Sequence, residues 1–493
     1  MRLRSTLALL ALLPFTASHA ATTYTVTSTA DSGAGSLRAA IQSLNANTAE
    51  NNHTIAFAVG SGQTIQVLSN LPAIGRSGAF VSIDGSGSPG LQIDGMGTSR
   101  LLFSFENALF SVRDLTLTRG FAGGGGCLRS GVDASASSPM VVARVLFSGC
   151  LADIQGGGAI YAGAQLTVTD SVFLDNQVTL IPGVASGGGA IIKTGAGNLI
   201  VERSTFVDNR VQSNGSGDAT PLGGALYMGG SSLNHTVRDS GFSGNRVGNP
   251  GGTAGGFGGA IHLESGGLSV ERSFLRGNVA DREGGAISVA AFVNASAARS
   301  LSVRNSSFVA NSAGWGGAIH FANYGGTGGV LDIRNSLFER NGASSGSGQS
   351  LRMADNVGSF NLSHTAFGAA GLDGSATGSH CSGTANTHSA NATLQGSSLG
   401  CGTTALSVAT LGLIGSEPTL PAAQPVAFAL APNSPLVDAG ASGPASLANP
   451  AACLTSDAVG SLRPQSGLYG GPIRCDIGPL EFIGPMFRDG FED

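Results

Sequence analysis

The chain has 493 residues, of which 78 are glycine and only 11% are charged. Glycine at that level without a Gly-X-Y period excludes collagen, and 41% apolar residues exclude a disordered linker. A net charge of −5 with a single lysine, Lys193, leaves no basic patch, which excludes nucleic acid and anionic membrane as partners.

In chain order, residues 1–20 read as a signal peptide: Arg2 and Arg4 form the charged start, Leu7 to Phe15 the apolar run, and Ser18-His19-Ala20 a small-residue cleavage site. No later run approaches the roughly 18 apolar residues of a membrane helix, so no transmembrane segment is expected after signal removal. The expected location is secreted or cell-surface. Residues 21–60 follow as an N-terminal cap. There Ser36–Ser43 predicts a short amphipathic helix with Leu37, Ala40 and Ile41 on one face.

Residues 61–370 carry a repeat. A glycine-pair element recurs as Gly157 to Tyr161, Gly188 to Ile192, Gly223 to Tyr227, Gly258 to His262, Gly284 to Ser288 and Gly316 to His320. A second element alternates with it, "LTVTDSVFLDN" ending at Asn176, and its equivalents ending at Asn209, Asn245, Asn278, Asn311 and Asn341. Its first half alternates apolar and polar residues, which is the strand pattern. A period of about 26–35 residues with several short strands each is one coil of a solenoid. Glycine suits the corners, inward Ile and Phe stack on their equivalents one coil away, and the six asparagines can form an amide ladder. The expected fold is all-β: a right-handed parallel β-helix of roughly ten coils, with an N-terminal cap and a disulfide-braced C-terminal region. Insertions such as Gln212–Pro221 and Gly248–Phe257 are expected as outward loops.

Residues 371–482 form the C-terminal region and 483–493 a tail. The six cysteines, Cys127, Cys150, Cys381, Cys401, Cys453 and Cys475, are an even count in an exported chain and predict disulfides. Fifteen pairings are possible; proximity in sequence favours Cys127–Cys150, Cys381–Cys401 and Cys453–Cys475. No Cys-x-x-Cys or Cys/His spacing points to zinc, and no cofactor is implied.

Candidate chemistry is sparse. Strand alternation turns Ile261 and Ile319 inward and the neighbouring histidines outward, as surface residues in a column that reads Tyr161, Ile192, Tyr227, His262, Ser288, His320. Tyr161, Tyr227, His262 and His320 are the candidate binding residues, since aromatic faces can stack sugar rings. The column Asp170, Arg203, Asp239, Arg272, Asn305, Asn335 alternates acid and base and reads as turn-capping residues. Asp175 and Asp208 are stacked acids, but two carboxylates without further oxygen ligands fall short of a calcium site. No catalytic constellation is evident.

The alternation of Gly-Gly-Ala-Ile with Phe-x-x-Asn resembles the repeats of chlamydial polymorphic outer-membrane proteins and related bacterial β-helix proteins. "YTVTSTADSGAGSLRAAI" at residues 24–41 resembles the N-terminal CSLREA-type motif, with Gly35 where that motif has cysteine and Ala39 where it has glutamate. "PNSPLVDAG", "SDAVGSLRP" and "CDIGPLEF" resemble the choice-of-anchor Q type of C-terminal region, and "FRDGFED" is similar to a tail of exported Gram-negative proteins. These resemblances imply fold and export, and no reaction. Two functions compete on this reading. One is an exported structural or adhesive protein that binds glycan or a surface protein through an elongated face. The other is a polysaccharide lyase or glycoside hydrolase on the same fold.

Overall fold

The computed structural model describes residues 22–131, 138–213, 219–230, 234–248, 255–291, 299–322 and 328–372, apart from 347 and 355–356, and beyond them shorter stretches, chiefly 379–383, 436–439, 452–463 and 474–480. The expected signal peptide, Cys401 and the expected tail lie outside the described residues. The chain is a parallel β-solenoid of about ten turns, with one α-helix among the described residues. That helix, Leu37–Ala46, is capped by Ser36, whose side chain accepts from Ala39 N, and it buries Leu37, Ala40, Ile41 and Leu44 on the first coil. No described helix is long and apolar enough to cross a membrane.

Each coil has three legs. The first is a long strand of the largest sheet, such as Leu166–Thr169 followed by Val172–Leu174. The second is a short strand after the asparagine, such as Gln177–Leu180. The third follows the glycine pair, as in Ile160–Ala162. We call the sheets they build the long sheet, the lobe sheet and the glycine-corner sheet. The main core lies between the long and glycine-corner sheets. It holds the buried row Phe147, Phe173, Phe206 and Phe242, whose rings stack at 4.6–4.8 Å between centroids.

The glycine pair has two separate causes. The first glycine of each pair has positive φ, for example +58° at Gly223 and +73° at Gly258, a conformation costly for other residues. The second sits where two legs of the coil touch. A Cβ on Gly224 would meet Arg246 N and O at 2.7 Å and overlap the carbonyl of Gly259. This pinch separates the main core from a smaller one beneath the lobe sheet, formed by Ala152, Val178, Leu180, Val211, Ala219, Val247, Ala280 and Ala313. The Gln212–Pro221 segment is therefore not simply an outward loop. Thr220–Leu222 pairs with Ala185–Gly187, and Ala219 is buried.

Two hydrogen-bond ladders run the length of the repeat. Asn176, Asn209, Asn245, Asn278 and Asn311 each donate from Nδ2 to the Oδ1 of the asparagine in the next coil, ending at Asn341, over 2.9–3.0 Å. Cys150 stands in this column and donates its backbone N–H to Asn176 Oδ1, while its sulfur is bonded to Cys127. The serines Ser204, Ser240, Ser273 and Ser306 form the second ladder, each Oγ accepting the backbone N–H of the serine one coil back.

The residue before each serine, and its equivalents before Leu115, Val145 and Thr365, kinks the long sheet. Asp114, Arg144, Asp170, Arg203, Asp239, Arg272, Asn305, Asn335 and His364 all stand at φ between 46° and 59°. Their side chains do not act as local turn caps. They pair between coils: Arg144 with Asp114, Arg203 with Asp170 and Arg272 with Asp239, each through two nitrogens. From Asn305 onward the charges stop, because the C-terminal segment docks on this column. Asn305 Nδ2 donates to Ser456 O at 3.0 Å, Leu454 N donates to Asn335 Oδ1 at 3.4 Å, and Gly478 N donates to His364 O at 2.8 Å. Arg463 is buried there and donates to the carbonyls of Asp476 and Gly478, and Cys453–Cys475 ties the two parts of the segment together. Cys381 is also disulfide-bonded.

Candidate functional site

The outward column of the glycine-corner sheet runs in register as Phe103, Arg129, Tyr161, Ile192, Tyr227, His262, Ser288, His320 and Arg352. Strand alternation sends these side chains away from the main core. It does not send all of them to solvent. His262 and His320 are 0% and 1% exposed, so their expected place on the surface is corrected, while Tyr161 and Tyr227 are half-buried.

The histidines are covered because a second row flanks them. The residues just before the glycine corner, Leu222, Phe257, Glu283 and Trp315, bridge one another in parallel register. Phe257 lies edge-on to His262, with ring centroids 6.4 Å apart. Tyr227 tilts over His262 from the preceding coil at 5.7 Å. Each histidine also meets a buried carboxylate. His320 Nδ1 is 3.0 Å from Glu283 Oε2, and His262 Nε2 is 3.4 Å from Glu264 Oε2. Ser288 lies in register between the two imidazoles and is fully buried.

Burial pushes the Glu283 carboxyl up, but His320, Arg282 and His262 outweigh that and hold it below the usual range. Burial pushes the Tyr227 hydroxyl up, helped by Glu264. The patch thus pairs acid with base in a dry setting. Its signal in the sequence is the residue before each glycine pair, which is glycine in the earlier coils and becomes Leu222, Phe257, Glu283 and Trp315 in the later ones.

Arginines divide between the two faces by partner. On the long-sheet side they meet aspartates: Arg113 with Asp84, Arg144 with Asp114, Arg203 with Asp170, Arg272 with Asp239. On the glycine-corner side they lie over rings: Arg100 over Phe103, Arg129 over Tyr161, Arg282 over Phe257 and Trp315, and Arg352 over Trp315, with guanidinium-to-centroid distances of 4.6–5.9 Å. Among the described residues neither Arg100 nor Arg352 has a carboxylate partner.

The remaining candidates are structural. Asp175 pairs with Arg210 at 2.8 Å, and Asp208 is pushed up by burial and by Asp175. Lys193 points into the main core and donates to the carbonyls of Gly195 and Ala196; burial lowers its ammonium to about 8. Among the described residues, one group of three potential metal ligands lies close together, His364, Cys453 and Cys475, and its two sulfurs are spent on the disulfide.

No known protein family and no curated protein matches the chain. Among solved structures it is similar to one described as a new PL6 alginate lyase complex with trisaccharide, at 10% identity and a TM-score of 0.40, over 77% of this chain and 86% of that one. At that level the similarity carries no argument about what this chain binds or does.

Proposed function

We propose that this is an exported or cell-surface β-helix protein with a structural or adhesive role, and that the outer face of the glycine-corner sheet binds glycan. The observation that carries the reading is the row of rings and guanidinium groups along that face. Aromatic rings offer flat apolar contact for sugar C–H groups. A guanidinium held over a ring keeps its charge; Arg129 and Arg100 spend some of their donors on Gly131, Gln155, Gly124 and Gly125 and offer a ligand the rest. The row follows the solenoid axis, with about 4.8 Å between coils, which suits an extended chain ligand. Tyr161 is central to it, half-buried beneath Arg129 and bonded through its hydroxyl to Thr194.

Turnover is the second reading. The His320–Glu283 contact beside Ser288 is the acid and base that a polysaccharide lyase or glycoside hydrolase would draw on, and both side chains lie buried beneath that face. One experiment separates the two. The mature protein is passed over insoluble plant and bacterial polysaccharides, with and without calcium, and the flow-through is assayed for unsaturated ends and reducing ends. Retention without products, weakened by Tyr161→Ala, supports the binding role. Products would establish the enzyme. Neither retention nor products would refute both glycan binding and turnover and leave a structural role alone.

A further inference from the structure

We infer that Arg282, Trp315 and Arg352 form a subsite for an anionic sugar, a saccharide ring that bears a carboxylate or sulfate group. The inference rests on the glycan-binding reading and names the ligand class at one end of the face.

Trp315 is the only tryptophan of the chain and is half-buried. The Arg282 guanidinium lies 5.9 Å from its ring centroid and that of Arg352 5.5 Å. The three side chains come from successive coils. Trp315 N donates to Arg282 O at 2.8 Å, and the strand that follows Trp315 pairs His320 with Arg352. The cluster is thus fixed by the backbone ladder and is not a chance meeting of long side chains.

Its charge is incompletely balanced. Glu283 is the nearest acid, 3.4 Å from Arg282 Nε, and its other oxygen faces His320. Arg352 has no carboxylate partner among the described residues, and Arg282 is 52% exposed. Arg144, Arg203 and Arg272 on the long sheet, by contrast, close two-point contacts with an aspartate. A ring holds a guanidinium in place without neutralising it. Two such groups beside one indole can fork onto an oxyanion while the exposed edge of the indole meets the sugar ring.

Trp315 itself reports the test. Its emission is followed in the intact protein while oligogalacturonate, the same oligomer fully methyl-esterified, or dextran sulfate oligosaccharide is added. The expected result is a saturable change with an anionic probe that weakens with salt and is absent with the methyl ester. Arg282→Gln and Arg352→Gln should each weaken it about tenfold, the loss of one charge-assisted contact, the Arg352 variant with an unchanged thermal midpoint. Oligogalacturonate and dextran sulfate separate carboxylate from sulfate recognition. Emission unmoved by both anionic probes, or moved equally by the methyl ester, overturns the inference. Retention on insoluble polysaccharide is scored in parallel. A retained protein with silent Trp315 defeats this subsite alone, whereas loss of both signals defeats the glycan reading as well.

Discussion

Asn209 donates twice to one atom of Asn245: its Nδ2 lies 2.9 Å and its backbone N 3.1 Å from the Asn245 Oδ1. Asn245 repeats the arrangement on Asn278 and also gives a proton to Phe206 O at 3.0 Å. Every polar atom of the side chain is therefore used inside a fully buried column. Asn245→Ala strips acceptors from Asn209 and donors from Asn278 and Phe206. Each buried group left unsatisfied costs about 1–3 kcal/mol, so the loss should reach at least about 3 kcal/mol in urea unfolding. Ser269→Ala on the outward side of the long sheet should stay within about 0.5 kcal/mol. Equal midpoints for the two variants would show that the ladder adds nothing.

The glycine pair gives a ranking. Gly223→Ala forces a side chain onto φ of +58° and into the Leu226 carbonyl of its own corner, so its cost should exceed the about 1–2 kcal/mol of the backbone strain alone. Gly224→Ala drives a methyl group into the backbone of two neighbouring coils, and neither can retreat without breaking its ladder. Overpacking against side chains costs about 1–3 kcal/mol; against backbone the cost should exceed that. Chemical denaturation should place both variants clearly below Gly277→Ala, where φ is +59° but a Cβ meets nothing within 4 Å. Equal midpoints for Gly224→Ala and Gly277→Ala would contradict the pinch.

These two features were legible in the sequence for one reason. A steric or hydrogen-bond demand that recurs in each coil writes the same letter in each coil. What does not recur was hidden. Glu283 and Trp315 occupy equivalent positions but serve different purposes, so periodicity could not single them out. The burial of His262 and His320 depends on the flanking row and on Glu264, Phe257 and Tyr227, which alternation along one strand does not report. Asn305 and Asn335 looked like further members of a charged column. They bind a segment more than 100 residues away in sequence, a contact with no local signature.

The Glu283–His320 contact should matter more than the exposed pairs. Both side chains are within 3% of full burial. Removing one partner of a buried pair costs about 3–5 kcal/mol, whereas exposed pairs such as Arg203–Asp170 contribute about 0–1 kcal/mol. Glu283→Gln should therefore destabilise strongly near neutral pH. Because the folded state holds the Glu283 carboxyl below its ordinary range, its advantage is complete above that range and fades as pH falls through the lowered value. Urea midpoints of wild type and Glu283→Gln should converge in acid. A constant gap from neutral to strongly acid pH would mean that charge is not the source.

Buried histidines set a second pH dependence at higher pH. Burial lowers His235, His364 and His380 from 6.5 to about 4, with Lys193 adding to the shift at His235 and Arg463 and Arg334 adding at His364. The folded state thus keeps each imidazole neutral, while the unfolded chain takes up a proton below about pH 6.5. Stability is fully present above that value and is lost as pH falls toward about 4, by about 3 kcal/mol for each histidine. His235 offers a clean test. It stands in the leucine column of the long sheet, and its Nδ1 accepts the Leu199 N–H at 2.9 Å, where strand pairing begins only at Ile200 with Thr236. The imidazole replaces a missing carbonyl. His235→Leu fits the column but orphans that N–H, so it should destabilise by about 1–3 kcal/mol at about pH 8. Near pH 4 the variant no longer carries the protonation penalty and should equal or exceed wild type. Two stability curves that cross between these limits would establish His235 as a buried neutral histidine, and parallel curves would refute it.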